Sequence, residues 1–443
     1  MEDILDTAKE LLENCCLCDS CLGRQFANLA SGTSNAERGS ALKMALILKA
    51  HSMIVEDKRG GKKLLKDIAL NSLSDVAIET LKKASLEVKI ENRTCEICKG
   101  KLQQLRKIAS KIMRKIRDYE FNSFLVGAKI PEAIIEAEDS LRARYRIQWG
   151  ETIRSEFTRE MGKIIANKTL KPADYRKPDL TIKISPYDEE ITLQIAPLLI
   201  SGHYRKFVAG ISQSKWLCRN CGGKGCQVCG GTGKRYSDSV QEIVATPILK
   251  LTGGEDTTFH AGDTEDIDAK VLGNGKPFII EVKKPRKRNI NLATIKKQVN
   301  TSKKVEVEDL HFAAGDHIKK IKMAESAEKI YQVIIEVGEG ITEKDIANLQ
   351  KTLSACQVKQ ETTKRAIHRR VNRVQERYIY ETKIRKMTPK KIEMTIRCQG
   401  GLHLKELISG DNGRTDPSVA KILLKNVKCI EMNVLGIQRE NSS

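Results

Sequence analysis

Aromatic side chains are scarce in this 443-residue chain, where eight Phe, two Trp and nine Tyr make up 4% of the residues. Broad platforms for stacking successive bases need many rings, so a sequence-indifferent single-strand binder is disfavoured. No run of 18 apolar residues occurs, which excludes an ordinary membrane-spanning helix. The start, "MEDILDTAKELLENCC", is acidic and amphipathic and lacks the basic-then-apolar pattern of a secretory leader. Acids are outnumbered by bases, 57 to 78, and the formal net charge is +21. That excess suits a polyanion, whose phosphates release counterions when neutralised. Hydrophobic residues make up 40%, enough for packed cores, and the length calls for two or three domains. A cytoplasmic, membrane-free protein with a nucleic-acid partner is the expectation.

Periodicity organises the chain. Apolar residues at three-to-four spacing in "ILDTAKELL" and "SALKMALILKA" predict helices, and "EDKRGGKK" (56–63) predicts a loop. A long basic helix is expected over "LQQLRKIASKIMRKIRDYEF", and another over "ETIRSEFTREMGKIIANKT". The period then shortens to two, so "DLTIKI" and "ITLQIAPLLI" read as strands of a small α+β unit. A glycine- and cysteine-rich connector follows. Beyond it "FIIEV", "YQVIIEV", "RYIYETKI" and "IEMTIRC" read as strands and "TEKDIANLQKTL" as a helix. The expected division is 1–120, 121–205, 206–236 and 237–443.

Thirteen cysteines in a chain with no secretory leader point to metal ligation rather than disulfides. Cys218, Cys221, Cys226 and Cys229 form C-x2-C-x4-C-x2-C, two thiolate knuckles that suit a closed tetrahedral zinc site. Gly222, Gly223 and Gly225 let the backbone turn sharply between them. Cys18/Cys21 and Cys95/Cys98 are two further C-x2-C pairs, expected to share a second structural zinc, although Cys15 and Cys18 have the same spacing. Cys356, Cys398 and Cys429 stand in apolar contexts and read as core residues.

The stretch "DTEDIDAKVLGNGKPFIIEV" (263–282) puts four carboxylates into six positions of this basic chain. One reading is a magnesium-dependent nuclease of the restriction-endonuclease kind. Asp268, a hairpin at Asn274-Gly275, then Glu281 and Lys283 on a strand would hold the metal and polarise a water. The other makes Asp266 the working group, a nucleophile or positioned anion in a loop before a strand, with Lys405 of "GLHLKELISGDNGRTDPS" as its cationic partner.

Several segments together resemble the archaeal and eukaryotic pseudouridine synthases of the Pus-ten type. The catalytic segment of that family, G-R-E-D-x-D-V-R-x-L-G-x-G-R-P-F-x-x-E, is similar to this stretch through Glu265, Asp266, Asp268, Leu272, Gly273, Gly275, Pro277, Phe278 and Glu281. The later G-T-Y-I-K-E-F-x-x-G-D-x-G-R-T-x-P-S is similar to 401–418. "CDSCLGRQFA", "SVQEIVATPIL", "KIYQVIIEV", "AIHRRVNRV" and "VKCIEMNVLGI" also match in order, so the resemblance spans the chain. It implies a multidomain α+β protein: a zinc-bound N-terminal region, a THUMP-type RNA-binding module, and a catalytic domain with a mixed, largely antiparallel sheet. It implies a tRNA pseudouridine synthase acting on T-arm uridines 54 and/or 55 without a catalytic cofactor. Asp266 becomes the catalytic aspartate, Tyr331 the ring stacking on a flipped uracil, and Leu404 and Leu435 apolar pocket walls. Lys405 becomes the cation paired with Asp266, lowering the carboxyl's pKa so that it stays ionised at neutral pH.

The family's Gly-Arg is Asp263-Thr264 here, and its Thr-Tyr is Leu402-His403. The task of that arginine, displacing the target base, then falls to other cations, with Arg286 or Arg288 as candidates. Arg205, Lys206, His368, Arg369 and Arg370 are candidate phosphate contacts. Silencing of the site by the 263–264 change would leave a non-catalytic zinc RNA-binding protein.

Overall fold

The computed structural model describes residues 3–89, 93–262, 265–323, 327–364 and 371–437, in two compact units that divide between Ala196 and Pro197. The first unit opens with α1 (Ile4–Asn14), α2 (Asp19–Arg24), α3 (Asn35–Val55), α4 (Gly61–Asn71) and α5 (Asp75–Lys83). Ser34 caps α3 in a reciprocal capping box with Glu37, which satisfies two otherwise unpaired backbone donors. Then come α6 (Leu105–Ile116), β1 (Phe124–Ala128), α7 (Glu132–Arg144), α8 (Ile153–Thr169), β2 (Leu180–Ser185) and β3 (Glu190–Ile195). β1 pairs parallel to β2, as a helical crossover requires, and β3 pairs antiparallel to β2. Arg24 is wholly buried between Glu138 (2.8 Å) and Glu156 (2.6 Å), a charge neutralised by two partners inside the core.

The second unit contains β4 (Leu198–Lys206), α9 (Val240–Thr252), β5 (Asp256–Ala261), β6 (Lys270–Lys283), α10 (Leu292–Asn300), β7 (Val305–Phe312) and α11 (Asp316–Met323). There follow β8 (Lys329–Val337), α12 (Glu343–Leu353), β9 (Cys356–Glu361), β10 (Val374–Thr388), β11 (Lys391–Cys398), α13 (Leu404–Ser409), β12 (Thr415–Asp416), α14 (Val419–Leu423) and β13 (Val427–Ile437). Among the described residues the strands make one sheet in the order β12-β9-β10-β11-β8-β13-β6-β4-β7, with β5 added along β6. Every neighbouring pair is antiparallel except β13 and β6. The expected α+β class and mixed, largely antiparallel sheet are therefore present. β8 and β11 alternate buried and partly exposed residues, the period-two pattern of strands with one face on a core.

Two expectations need correction. "ITLQIAPLLI" is not one strand: Pro197 has no N–H to give a ladder, and the segment splits into β3 of the first unit and β4 of the second. "SGHYRK" completes β4. Nor does Asn274-Gly275 close a hairpin. β6 runs on through it as a bulge, because the residues on both sides of it pair with the same strand, Val271 and Lys276–Val282 with β4, while Lys270–Val271 also pair with β13. Between Tyr204 and Lys206 of β4 the partner on β6 jumps from Lys276 to Val271, so extra residues are extruded.

Gly273 makes that bulge possible. Its φ is +59°, and a Cβ there would meet the Leu435 carbonyl oxygen at 1.7 Å. Gly273→Ala is expected to destabilise the protein by more than about 1 kcal/mol. Gly162→Ala, in open space inside α8, is expected to be neutral or stabilising. Denaturant midpoints of the two variants check this; equal midpoints would contradict it.

Candidate active site and metal centres

The loop 265–269 enters the parallel junction of β6 and β13. Its first residue, Glu265, is buried with a side-chain exposure of 3%. The Tyr204 hydroxyl donates to it from 2.9 Å, Gln213 Nε2 from 3.0 Å and Lys276 Nζ from 2.7 Å, while Lys206 Nζ stands 4.0 Å away. A buried carboxylate is tolerable only when its oxygens are this well supplied with donors. The Ile267 carbonyl accepts from Lys206 Nζ (3.2 Å) and from Gly210 N (3.0 Å). Ala269 N donates to the Asp266 carbonyl at 3.0 Å, closing a turn. Glu265 and Ile267 are thus tied inward, leaving Asp266 partly exposed and Asp268 exposed on the outer side of the loop.

Lys405, in the first turn of α13, meets Asp268 Oδ2 at 2.7 Å. The contact found for this cation is therefore with Asp268 rather than with Asp266 as expected. Because Asp268 keeps 68% exposure, the pair itself is worth at most about 1 kcal/mol. Asp266 is nonetheless close by. Burial pushes the Cys429 thiol up, Lys405 opposes that shift, and Asp266 and Asp268 add to it, so all four groups share one neighbourhood. Gln360 of β9 fixes the entry to α13. Its amide donates to the His403 carbonyl (2.9 Å) and accepts from His403 N (2.8 Å).

Leu404 is buried and Tyr331, 9% exposed, lies in the same core. Tyr331 faces Val434 across β8 and β13, and Leu435 follows in a bulge of β13 against Gly273. Lys206, expected at a phosphate, is fully buried beneath the loop. Burial pushes its ammonium below the usual lysine range, and Glu265, Asp268 and Asp266 oppose that shift. Arg205 pairs with Glu306 (3.1 Å) and Glu308 (3.2 Å). Arg286 is exposed beside Gly253 at the end of α9, and Arg288 is half-buried. Both follow the end of β6 remote from Asp266, so neither stands where the missing arginine was expected. His368, Arg369, Arg370 and the dipeptide Asp263-Thr264 lie outside the described residues.

The nuclease constellation is not assembled. Asp268 precedes β6 while Glu281 lies near its far end, on the order of 30 Å along the strand. Glu281 is bonded to His260 (2.9 Å) and Lys283 to Asp256 (3.1 Å).

Two cysteine clusters are assembled, Cys18/Cys21/Cys95/Cys98 and Cys218/Cys221/Cys226/Cys229, each with all sulfurs within 4.8 Å of one another. A tetrahedral zinc with sulfur ligands at its usual bond length has an edge of about 3.8 Å. The Cys18–Cys98 separation is 3.7 Å, Cys218–Cys226 and Cys221–Cys229 are 3.9 Å, and Cys226–Cys229 is 3.7 Å. Backbone amides of Cys21, Gly225 and Gly233 point at Cys18, Cys221 and Cys229 sulfurs, as donors to thiolates should. Both sets fit zinc, and four thiolates leave no place for a reactive water. Cys15 instead turns toward the Tyr145 hydroxyl, 4.0 Å away, which decides between the two N-terminal spacings. Cys16 lends its backbone, exchanging two 2.8 Å hydrogen bonds with Glu96.

Residues 199–438 match the sequence profile of "Pus10, C-terminal", and residues 108–185 that of "Pus10 THUMP domain, archaeal". The chain belongs to the Pus10 family. A tRNA pseudouridine synthase Pus10 of Methanocaldococcus jannaschii is 40% identical over 98% of this chain and 94% of its own. Those of Methanothrix thermoacetophila and Thermofilum pendens are 35% and 36% identical over 98% and 97% of this chain, and 94% of each relative. The two matched Pus10 regions fall one in each compact unit. Among the described residues no helix is long and apolar enough to cross a membrane.

Sequence reasoning missed the network around Glu265, and it missed Gln360. The signal for the first was present: Tyr204, Lys206 and Gln213 lie in the segment "SGHYRKFVAGISQ", which pairs beside the loop. Purified protein is expected to carry two zinc ions per chain by metal analysis. Cys95→Ser and Cys226→Ser should each remove one, and a single variant that keeps both would contradict the two-site assignment.

Proposed function

We propose that this protein isomerises uridine to pseudouridine in the T-arm of tRNA, at position 54, position 55 or both, with Asp266 as the group acting on the glycosidic bond. The observation that carries this reading is the clamped loop, which holds Glu265 and Ile267 inward and offers Asp266 beside Lys405–Asp268. Curated Pus10 proteins of similar sequence along nearly the whole chain are named tRNA pseudouridine synthases, and the similarity of the E-D-x-D segment to the family's supports Asp266 as the acting group.

The chemistry sets the requirements. Cleaving C1′–N1, turning the uracil and rejoining it through C5 removes a proton from C5 and returns one to N1, so atoms balance without a cofactor. The target base must leave the stack to be reached. The Tyr331 ring takes the place of the lost stacking partner, with Leu404 and Leu435 as apolar walls. Lys405 acts on Asp266 through Asp268, by fixing the outer face of the loop and offsetting its negative charge. The THUMP module and the basic surface deliver the tRNA, and the two zinc ions are structural.

The test uses an unmodified tRNA transcript and chemical mapping of pseudouridine, without added metal. Wild-type protein is expected to modify the T-arm, and Asp266→Ala to fall to background while still binding tRNA. Lys405→Met should lose up to about fivefold, the worth of an exposed ion pair of at most about 1 kcal/mol. Strand cleavage dependent on magnesium, or full activity in Asp266→Ala, would sink the proposal.

A further inference from the structure

The second cysteine cluster closes a ribbon that does more than end a connector. Cys218 N donates to the Gly233 carbonyl (2.8 Å) and Arg235 N to the Trp216 carbonyl (2.9 Å), with Leu217 bridged antiparallel to Lys234. The ribbon therefore rises as a short two-stranded stem with the thiolate knuckles at its tip. No Asp or Glu occurs from 211 to 237, against five cations, Lys215, Arg219, Lys224, Lys234 and Arg235. Zinc with four thiolates carries a net 2−, which leaves a surplus of three positive charges in the segment. Lys234 is engaged by Glu242 at 2.5 Å. Among the described residues Lys215, Arg219, Lys224 and Arg235 form no salt bridge, and these four are exposed.

One of the two tryptophans stands at the stem of this ribbon. The Arg235 guanidinium lies 5.3 Å from the centres of both the Trp216 and Tyr236 rings, which meet edge-on at 6.1 Å and 65°. Both rings keep part of their surface in solvent. A cation and two rings could serve only to stiffen the stem, but that role does not need the unpaired cations around it. The ribbon is also rooted on the loop that bears Asp266. Gln213 bonds Glu265 at 3.0 Å, Gly210 N bonds the Ile267 carbonyl, and Lys206 bridges the Ile211 and Ile267 carbonyls. Trp216 is three residues past Gln213, within about 11 Å along the backbone.

We propose that the zinc ribbon is an RNA-contact surface flanking the active site. Arg219, Lys224 and Arg235 take phosphates of the strand next to the target nucleotide, and Trp216 stacks on an unpaired base of that strand. This rests on tRNA being the substrate. Stacking on one ring suits the low aromatic content, since a single flanking base needs no platform.

The test measures tRNA affinity of the full-length protein as a function of salt, alongside zinc content and single-turnover pseudouridine formation. Arg219→Ala, Lys224→Ala and Arg235→Ala should each lower the slope of log K against log salt by close to one, as loss of a phosphate contact does. Trp216→Ala should weaken binding roughly tenfold and Trp216→Tyr should restore most of it. Should Trp216→Ala or Arg235→Ala lose zinc, the exposed Arg219 and Lys224 variants decide alone. Unchanged affinity and slope in zinc-replete Arg219 and Lys224 variants would overturn the inference, including in favour of a protein partner. If wild type makes no pseudouridine but the variants still lose RNA affinity, the catalytic reading fails and the ribbon surface stands.

Discussion

A carboxyl group out of water must have its oxygens filled by hydrogen-bond donors, and Glu265 meets that condition with Tyr204, Gln213 and Lys276 in direct contact. Removing one partner of such a buried pair costs about 3–5 kcal/mol, because the survivor is left uncompensated. The geometry of the catalytic unit follows from this cluster. It draws together β4, β6 and the segment that leads into the zinc ribbon. It also fixes the inner side of a loop whose outer side bears Asp266 and Asp268. The bulge at 272–275 belongs to the same device, since it brings Lys276 back to face Tyr204 while the first residues of β6 pair with β13.

Preorganisation gives this arrangement its functional meaning. A group that must act on a base already flipped out of its stack gains most when it is held in place beforehand. Here the inward neighbours of Asp266 are locked by buried charge, and the outward one, Asp268, is held by Lys405 from a helix that Gln360 anchors. The two ends of the loop are thus restrained from different elements of one sheet. The cysteine ribbon grows from the same root, through Gln213 and the Lys206 bridge to the Ile211 and Ile267 carbonyls.

Much of this was legible in the sequence. The C-x2-C pairs located both four-cysteine clusters, because thiolate knuckles have a fixed spacing. Alternation found β8 and β11. Other features were hidden for physical reasons. Lys206 looks like a surface cation in "HYRKF", and only the strands closing over it make it a buried one. Asn274-Gly275 carries the strongest local hairpin signal, yet pairing of both flanks to β4 overrides it. The partner of Lys405 is chosen by where α13 docks, which no local pattern encodes.

The most direct test of this account is the single-turnover rate of pseudouridine formation in Lys276→Met, with tRNA affinity measured in parallel. Lys276 is buried against Glu265 and makes no contact with solvent to speak of, at 3% side-chain exposure, so it should not touch RNA. The account predicts a rate at least tenfold lower with tRNA affinity nearly unchanged, in protein that remains folded and retains its zinc. A folded Lys276→Met protein that converts uridine at the wild-type rate would contradict the claim that the buried cluster positions Asp266.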